Sequence, residues 1–193
     1  MTYEELKAKM DESHYIYDET LATVLFVALQ LGRPLLIEGA AGVGKTEVAK
    51  VMAAALDREL VRLQCYEGLD ESKALYEWNY QKQLLSIQVN MNAQDRDSLT
   101  KSLFRDEYLL ERPLLKSIRS EKPVVLLIDE IDKADLEFPN DLLWELDRME
   151  FYIPETKETV QAKQRPIVII TSNAEKELPD AFLRRCVFHY IEF

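Results

Sequence analysis

Val124-Val125-Leu126-Leu127-Ile128, entered from Pro123 and left at Asp129, restricts the fold more than any other stretch of the chain. The run is too short for a helix and does not alternate, so it offers no wet face and reads as a strand buried on both sides. Pro166-Ile167-Val168-Ile169-Ile170 nearly equals it, and Pro34-Leu35-Leu36-Ile37-Glu38 is a shorter version. Leu60 to Cys65 alternates as a further strand, and Val187 to Phe193 supplies a fifth. Between these runs the apolar spacing is helical. In residues 18–31, Leu21, Val24, Leu25, Ala28 and Leu29 follow an acidic start, and Gly32 is placed to stop the helix. Thr46 to Leu56 is dense in helix formers and core fillers, and a helix started by Pro113 precedes the 124–128 run. Strands alternating with helices predict an α/β fold, a parallel sheet wrapped on both faces whose ligands sit at the carboxyl ends of the strands.

A chain of 193 residues without repeat or linker points to one domain. With 24 Lys+Arg against 35 Asp+Glu the net charge is −11, a field that repels nucleic acid and anionic membranes, so neither is expected as a partner. The longest apolar stretch, Leu21 to Leu31, falls well short of the roughly 20 residues that cross a bilayer. Met1 to Leu6 lacks the basic start and apolar run of a secretory signal, so a cytoplasmic location is expected, with Cys65 and Cys186 as separate buried thiols.

Residues 70–85 look helical. From Leu84 to Asn92 the period switches to two, with Ile87, Val89 and Met91 apolar, which is strand-like. The heavily charged stretch that follows makes roughly 86–110 read as an insertion hung on the core.

Gly39-Ala40-Ala41-Gly42-Val43-Gly44-Lys45-Thr46 lies between a strand and a helix and has the spacing of a phosphate-binding loop. Its glycines let consecutive N–H groups turn inward, and the helix start adds its positive end. Lys45 can reach the outer phosphates of a nucleotide, and the Thr46 hydroxyl can ligate the magnesium that bridges them. Asp129 and Glu130 emerge at the carboxyl edge of the 124–128 strand, which is expected to lie beside the loop strand. Asp129 suits the magnesium water shell, and Glu130 suits activation of a water in line with the outermost phosphorus. Asp132-Lys133-Ala134-Asp135 resembles a guanine reader, but it fails at its first position and follows the wrong strand, so ATP is the expected nucleotide.

Thr171-Ser172-Asn173 ends another apolar strand. Asn173 can position the attacking water or sense the gamma phosphate from the side opposite Glu130, or Ser172 or Asn173 can cap a following helix. Arg184 and Arg185, just before the last strand, can be surface charges or can enter a neighbouring subunit's site. His14 and His189 have no partner at metal-ligand spacing, Trp78 and Trp144 read as core anchors, and no Gly-x-Ser-x-Gly elbow is present.

Taken together, Gly39 to Thr46, Val124 to Glu130, Asn173 and Arg184-Arg185-Cys186 resemble the Walker A, Walker B, sensor 1 and arginine-finger elements of an AAA+ ATPase core, a P-loop NTPase. The stretches Gln64 to Glu71, Leu75 to Tyr80 and Phe151 to Glu155 are similar to the MoxR-type ATPases found beside carbon monoxide dehydrogenase maturation proteins. The resemblance implies a five-stranded sheet with a helix-2 insert, matching 86–110, and a hairpin before sensor 1, matching Phe151 to Ala162. It further implies ATP and Mg2+ as cofactors, and a homo-hexameric ring that remodels a protein client, often with a von Willebrand factor A domain partner. Arg185 best matches the finger and Arg184 is second. Tyr15, Ile16 and Tyr17 lie where the family's adenine pocket begins, or form an aromatic staple on the core. The family continues into a helical lid bearing a sensor 2 arginine, whereas this sequence stops at Phe193, so weak nucleotide binding and poor ring formation are expected of it. A nucleic-acid motor or clamp-loader subunit, and a nucleotide-switched assembly module with little turnover, are the rival readings.

Overall fold

The computed structural model describes residues 1–90 and 103–192. Five parallel strands form the central sheet: β1 (Leu35–Gly39), β2 (Glu59–Gln64), β5 (Val124–Asp129), β8 (Ile167–Ser172) and β9 (Val187–Ile191), in the order β2-β5-β8-β1-β9. The α/β expectation therefore holds, with one correction to its topology. The acid-bearing strand β5 is not beside the loop strand β1, because β8 runs between them. The order puts the carboxyl ends of β5, β8 and β1 side by side, where a site on an open parallel sheet belongs.

Successive side chains along each central strand enter opposite faces, which is why unbroken apolar runs were needed. Val124, Leu126 and Ile128 of β5 join Val168 and Ile170 of β8 in one core, against Leu114, Phe138 and Leu142. Val125, Leu127 and Ile169 enter the other, with Leu25 of α2 (Glu19–Leu31) and Val48 and Met52 of α3 (Lys45–Ala55). α2 starts where Asp18 Oδ1 accepts from Leu21 N at 2.7 Å and stops at Gly32, whose φ of 60° is left-handed. Among the described residues no helix is long and apolar enough to cross a membrane.

One helix escapes a reading based on apolar spacing. α1 (Tyr3–Glu12) opens with a capping box: Thr2 Oγ1 accepts from Glu5 N at 3.2 Å and Glu5 Oε2 accepts from Thr2 N at 2.8 Å. It docks Leu6 and Met10, both fully buried, onto the α2–α3 side.

The strand-like reading is overturned over Leu84 to Asn90, while Met91 and Asn92 lie outside the described residues. After α4 (Glu71–Leu75) and the short strand β3 (Tyr76–Trp78), the chain forms α5 (Tyr80–Asn90). Leu84, Leu85 and Val89 all remain exposed, so no sheet face selected the period of two. β3 pairs antiparallel with β4 (Leu109–Glu111), and this pair brackets the charged segment; residues 91–102 of the expected insertion lie outside the described residues. α6 (Pro113–Arg119) follows with Pro113 in its first turn. α7 (Phe138–Asp141) and α8 (Leu143–Arg148) lead into a hairpin of β6 (Glu150–Ile153) and β7 (Glu158–Gln161) before β8, as expected. Trp78 is buried in a satellite core with Tyr108, Ile118 and Ile153. Trp144 is not a core anchor: it is 55% exposed, and the Arg148 guanidinium lies 3.9 Å from its ring centre. His14 is exposed and His189 is buried within β9.

Candidate functional site

β1 delivers the glycine-rich loop and α3 receives it. Each glycine answers a different demand. A Cβ at Gly39 would sit 2.5 Å from the carbonyl oxygen of Ile191 on the adjacent strand, whereas Gly42 and Gly44 face open space and adopt φ of 88° and 92°. Ala40, Ala41 and Val43 fill the turn between them. Lys45 is buried, and its Nζ donates to the carbonyls of Gly39 at 2.6 Å and Ala40 at 2.7 Å, so the ammonium lies in the bend of the loop. Burial lowers its pKa, against the opposing pull of the Asp132, Glu130 and Asp129 carboxylates.

The loop meets the acids directly. Thr46 Oγ1, in the first turn of α3, donates to Asp129 Oδ1 at 3.0 Å across 83 residues of sequence. Asp129 is 2% exposed, and Thr171 Oγ1 of the intervening strand β8 donates to the same oxygen at 2.6 Å. Oδ2 accepts from Arg62 Nε of β2 at 2.9 Å and from its Nη2. Glu130, just past the strand, takes left-handed φ and ψ of 57° and 54° and donates its N–H to Thr171 Oγ1 at 2.8 Å. That backbone conformation is uncommon for a non-glycine residue and turns the side chain out of the strand direction. Its carboxylate accepts from Gln64 Nε2 at 2.9 Å and from Asn173 Nδ2 at 3.3 Å.

Asn173 therefore touches Glu130 rather than standing opposite it. The capping alternative fails as well, since the next helix, α9 (Asp180–Leu183), begins only at Asp180. Ser172 Oγ instead accepts from Ala174 N at 2.9 Å within the turn. Asp132, excluded above as a guanine reader, is a buried brace: its carboxylate accepts from the N–H groups of Asn173 at 3.2 Å and Glu175 at 3.1 Å.

The remaining expected residues lie apart from this cluster. Arg184 and Arg185 precede β9, hence stand at the amino edge of the sheet, the opposite end from the loop. Arg185 donates to Asp147 Oδ2 at 2.7 Å and to the Ala181 carbonyl at 2.8 Å. Tyr15 and Tyr17 pack on the α1–α3 core and Ile16 is 94% exposed. Burial raises the Tyr15 phenol, helped by Glu47 in the first turn of α3 and by Asp18, which sets this segment beside the helix that leaves the loop. Both cysteines are free, and burial pushes each thiol up to about 12, so neither is a nucleophile.

Among the described residues no three His, Cys, Asp or Glu side chains gather to hold a metal by themselves. Thr46 and Asp129 instead pair one hydroxyl with one carboxylate, hard oxygen donors too few for a protein-only cage. That set fits magnesium, which completes its shell with waters and substrate phosphates. Arg62 had no motif to announce it, while Thr171 and Asp132 stood in stretches read for other roles. Gln64 and Arg62 share one face of β2 at its carboxyl end, and only the alternation in residues 60–65 hinted at where they would point.

The AAA domain family (dynein-related subfamily) matches residues 34–186. A provisionally named ATPase of Cytophaga hutchinsonii is similar in structure with a TM-score of 0.62 at 18% identity, over 99% of this chain and 51% of its own. NtrX of Brucella abortus, solved in complex with ATP, is similar with a TM-score of 0.53 at 16% identity, over 90% of this chain and 36% of its own. The chain thus spans about half the length of the first and just over a third of the second. Identities at this level speak to the fold alone.

Proposed function

We propose, because the chain belongs to the AAA domain family, dynein-related subfamily, that it is a magnesium-dependent ATPase of the MoxR type that remodels a protein client. The observation that carries the reading is the 3.0 Å contact between Thr46 and Asp129, which joins a phosphate loop to a carboxylate beside a second, outward-turned acid. In this reading the loop N–H groups at Gly42, Gly44 and Lys45 receive the phosphates, and Lys45 exchanges its two carbonyl partners for phosphate oxygens. Thr46 and Asp129 would hold magnesium, which when bound neutralises charge on the outer phosphates. Glu130 takes a proton from the attacking water while Asn173 fixes the carboxylate, and Gln64 restrains it from the other side. Tyr15, Ile16 and Tyr17 would border the adenine. Arg185, with Arg184 second, would act on the neighbouring subunit's nucleotide in a homo-hexamer, since its own loop is at the far end of the sheet. A von Willebrand factor A domain partner and a role in metalloenzyme maturation belong to the same MoxR reading, which rests on the 64–71, 75–80 and 151–155 stretches.

The test is Glu130→Gln. The variant keeps nucleotide binding in equilibrium titration and loses phosphate release by about two to four orders of magnitude, the usual weight of a general base. Turnover equal to the wild type would remove Glu130 from the mechanism. Retention of a specific protein by the ATP-bound variant, against release by the wild type, supports the client-remodelling part.

A further inference from the structure

Arg62 is a cation of the site that the mechanism above does not use. Both oxygens of Asp129 accept twice, Oδ1 from the hydroxyls of Thr46 and Thr171 and Oδ2 from the forked guanidinium of Arg62. A carboxylate 2% exposed is costly to leave unpaired, so it needs a cation beside it. Arg62 supplies one from the next strand, where Gln64 is in register with Asp129 and Arg62 reaches forward along the same face. The pair is lopsided, because the arginine side chain keeps 52% of its surface in water. About half of it already faces solvent, and its second partner, Gln64 Oε1, is also at the surface.

We infer that Arg62 is a stand-in counter-ion that competes with the divalent cation for Asp129 and thereby sets the metal affinity of the site. This rests on the proposed function. A doubly charged cation brought to Asp129 meets the guanidinium at close range, and like charges there repel unless one leaves. The two cations are therefore negatively coupled through one carboxylate, and removal of either must strengthen the other's hold by the same factor. Arg62 is a positioning residue that bears on nucleotide through the metal.

The experiment titrates MgCl2 into wild type and Arg62→Gln at fixed fluorescent ADP, and measures melting of both in EDTA and in saturating Mg·ADP. In Arg62→Gln, half-maximal magnesium-dependent ADP binding is expected at about tenfold lower Mg2+, an ordinary coupling magnitude. The melting temperature is expected to fall in EDTA, and that loss is expected to shrink in Mg·ADP. Arg62→Lys, which keeps the charge without the fork, falls between the two and stands in should the Gln variant fail to fold. An unchanged Mg2+ requirement with equal melting losses in both buffers would make the pair a structural tie and overturn the inference, as would a raised requirement. A wild type that binds no ADP with or without Mg2+ overturns the reading of the site and this inference with it, whereas a binding wild type matched by its variant overturns this inference alone.

Discussion

At the scale of single residues, glycines in one loop are irreplaceable for different reasons. Gly39 is fixed by a neighbour, since a Cβ there meets backbone of β9 that has no rotamer to yield. Gly42 is fixed by its own torsion, with φ of 88° and open space around it. Gly39→Ala is expected to cost about 1–3 kcal/mol of stability through overpacking. Gly42→Ala costs about 1–2 kcal/mol through left-handed strain alone. Urea denaturation of each separates them only if combined with packing: enlarging the side chain from Ala to Met, which is unbranched at Cβ, should worsen position 39 sharply and position 42 little. Equal increments at the two sites would contradict the clash.

Elements bring a different kind of liability. On α8, Glu145 is 5% exposed and its Oε2 meets no hydrogen-bond donor among the described residues, so it faces the Glu71 carboxyl as a second acid. Burial first, then the Glu71 and Asp141 carboxylates from α4 and α7, raise it from the ordinary 4.5 to about 7. The folded protein therefore holds a proton that the unfolded chain releases. This group's contribution to stability is full below about pH 4.5 and declines as pH rises through the window up to about 7. Glu145→Gln, which needs no proton, should gain about 1–3 kcal/mol relative to wild type at pH 8 and lose that advantage near pH 4.5. Thermal melts of both proteins across that range check it, and a pH-independent difference would remove ionisation of Glu145 as the cause.

For the whole molecule, the sheet separates the loop and the last arginines to opposite edges, so any joint action needs a second copy. The Arg185–Asp147 ion pair is exposed on both sides and contributes at most about 1 kcal/mol to folding. Arg185→Ala should thus melt close to wild type yet lose ATP turnover. Mixing it with Lys45→Ala, also inactive alone, should restore part of the activity, because one interface then joins an intact loop to an intact arginine. No recovery at any mixing ratio, in mixtures shown by sedimentation to assemble, would dismiss the action in trans.

What the residues determine unaided is local. Val124 to Ile128 has no polar side to show water, so a strand buried on both faces follows without further information, and Gly39 to Thr46 carries its backbone demands in its glycines. Even α1, which apolar spacing missed, is written in Thr2 and Glu5 as a capping box. The tertiary structure alone decided what depends on partners distant in sequence. Leu84 to Asn90 alternates like a strand, yet no sheet edge among the described residues reached it, and helical hydrogen bonding prevailed. The insertion of β8 between β5 and β1 decided which hydroxyls reach Asp129, and Arg62 became its counter-ion because parallel pairing set Gln64 opposite that acid. Spacing within a segment reports the torsions and faces of that segment, whereas electrostatic pairing across strands depends on their order and register, which short-range pattern does not encode.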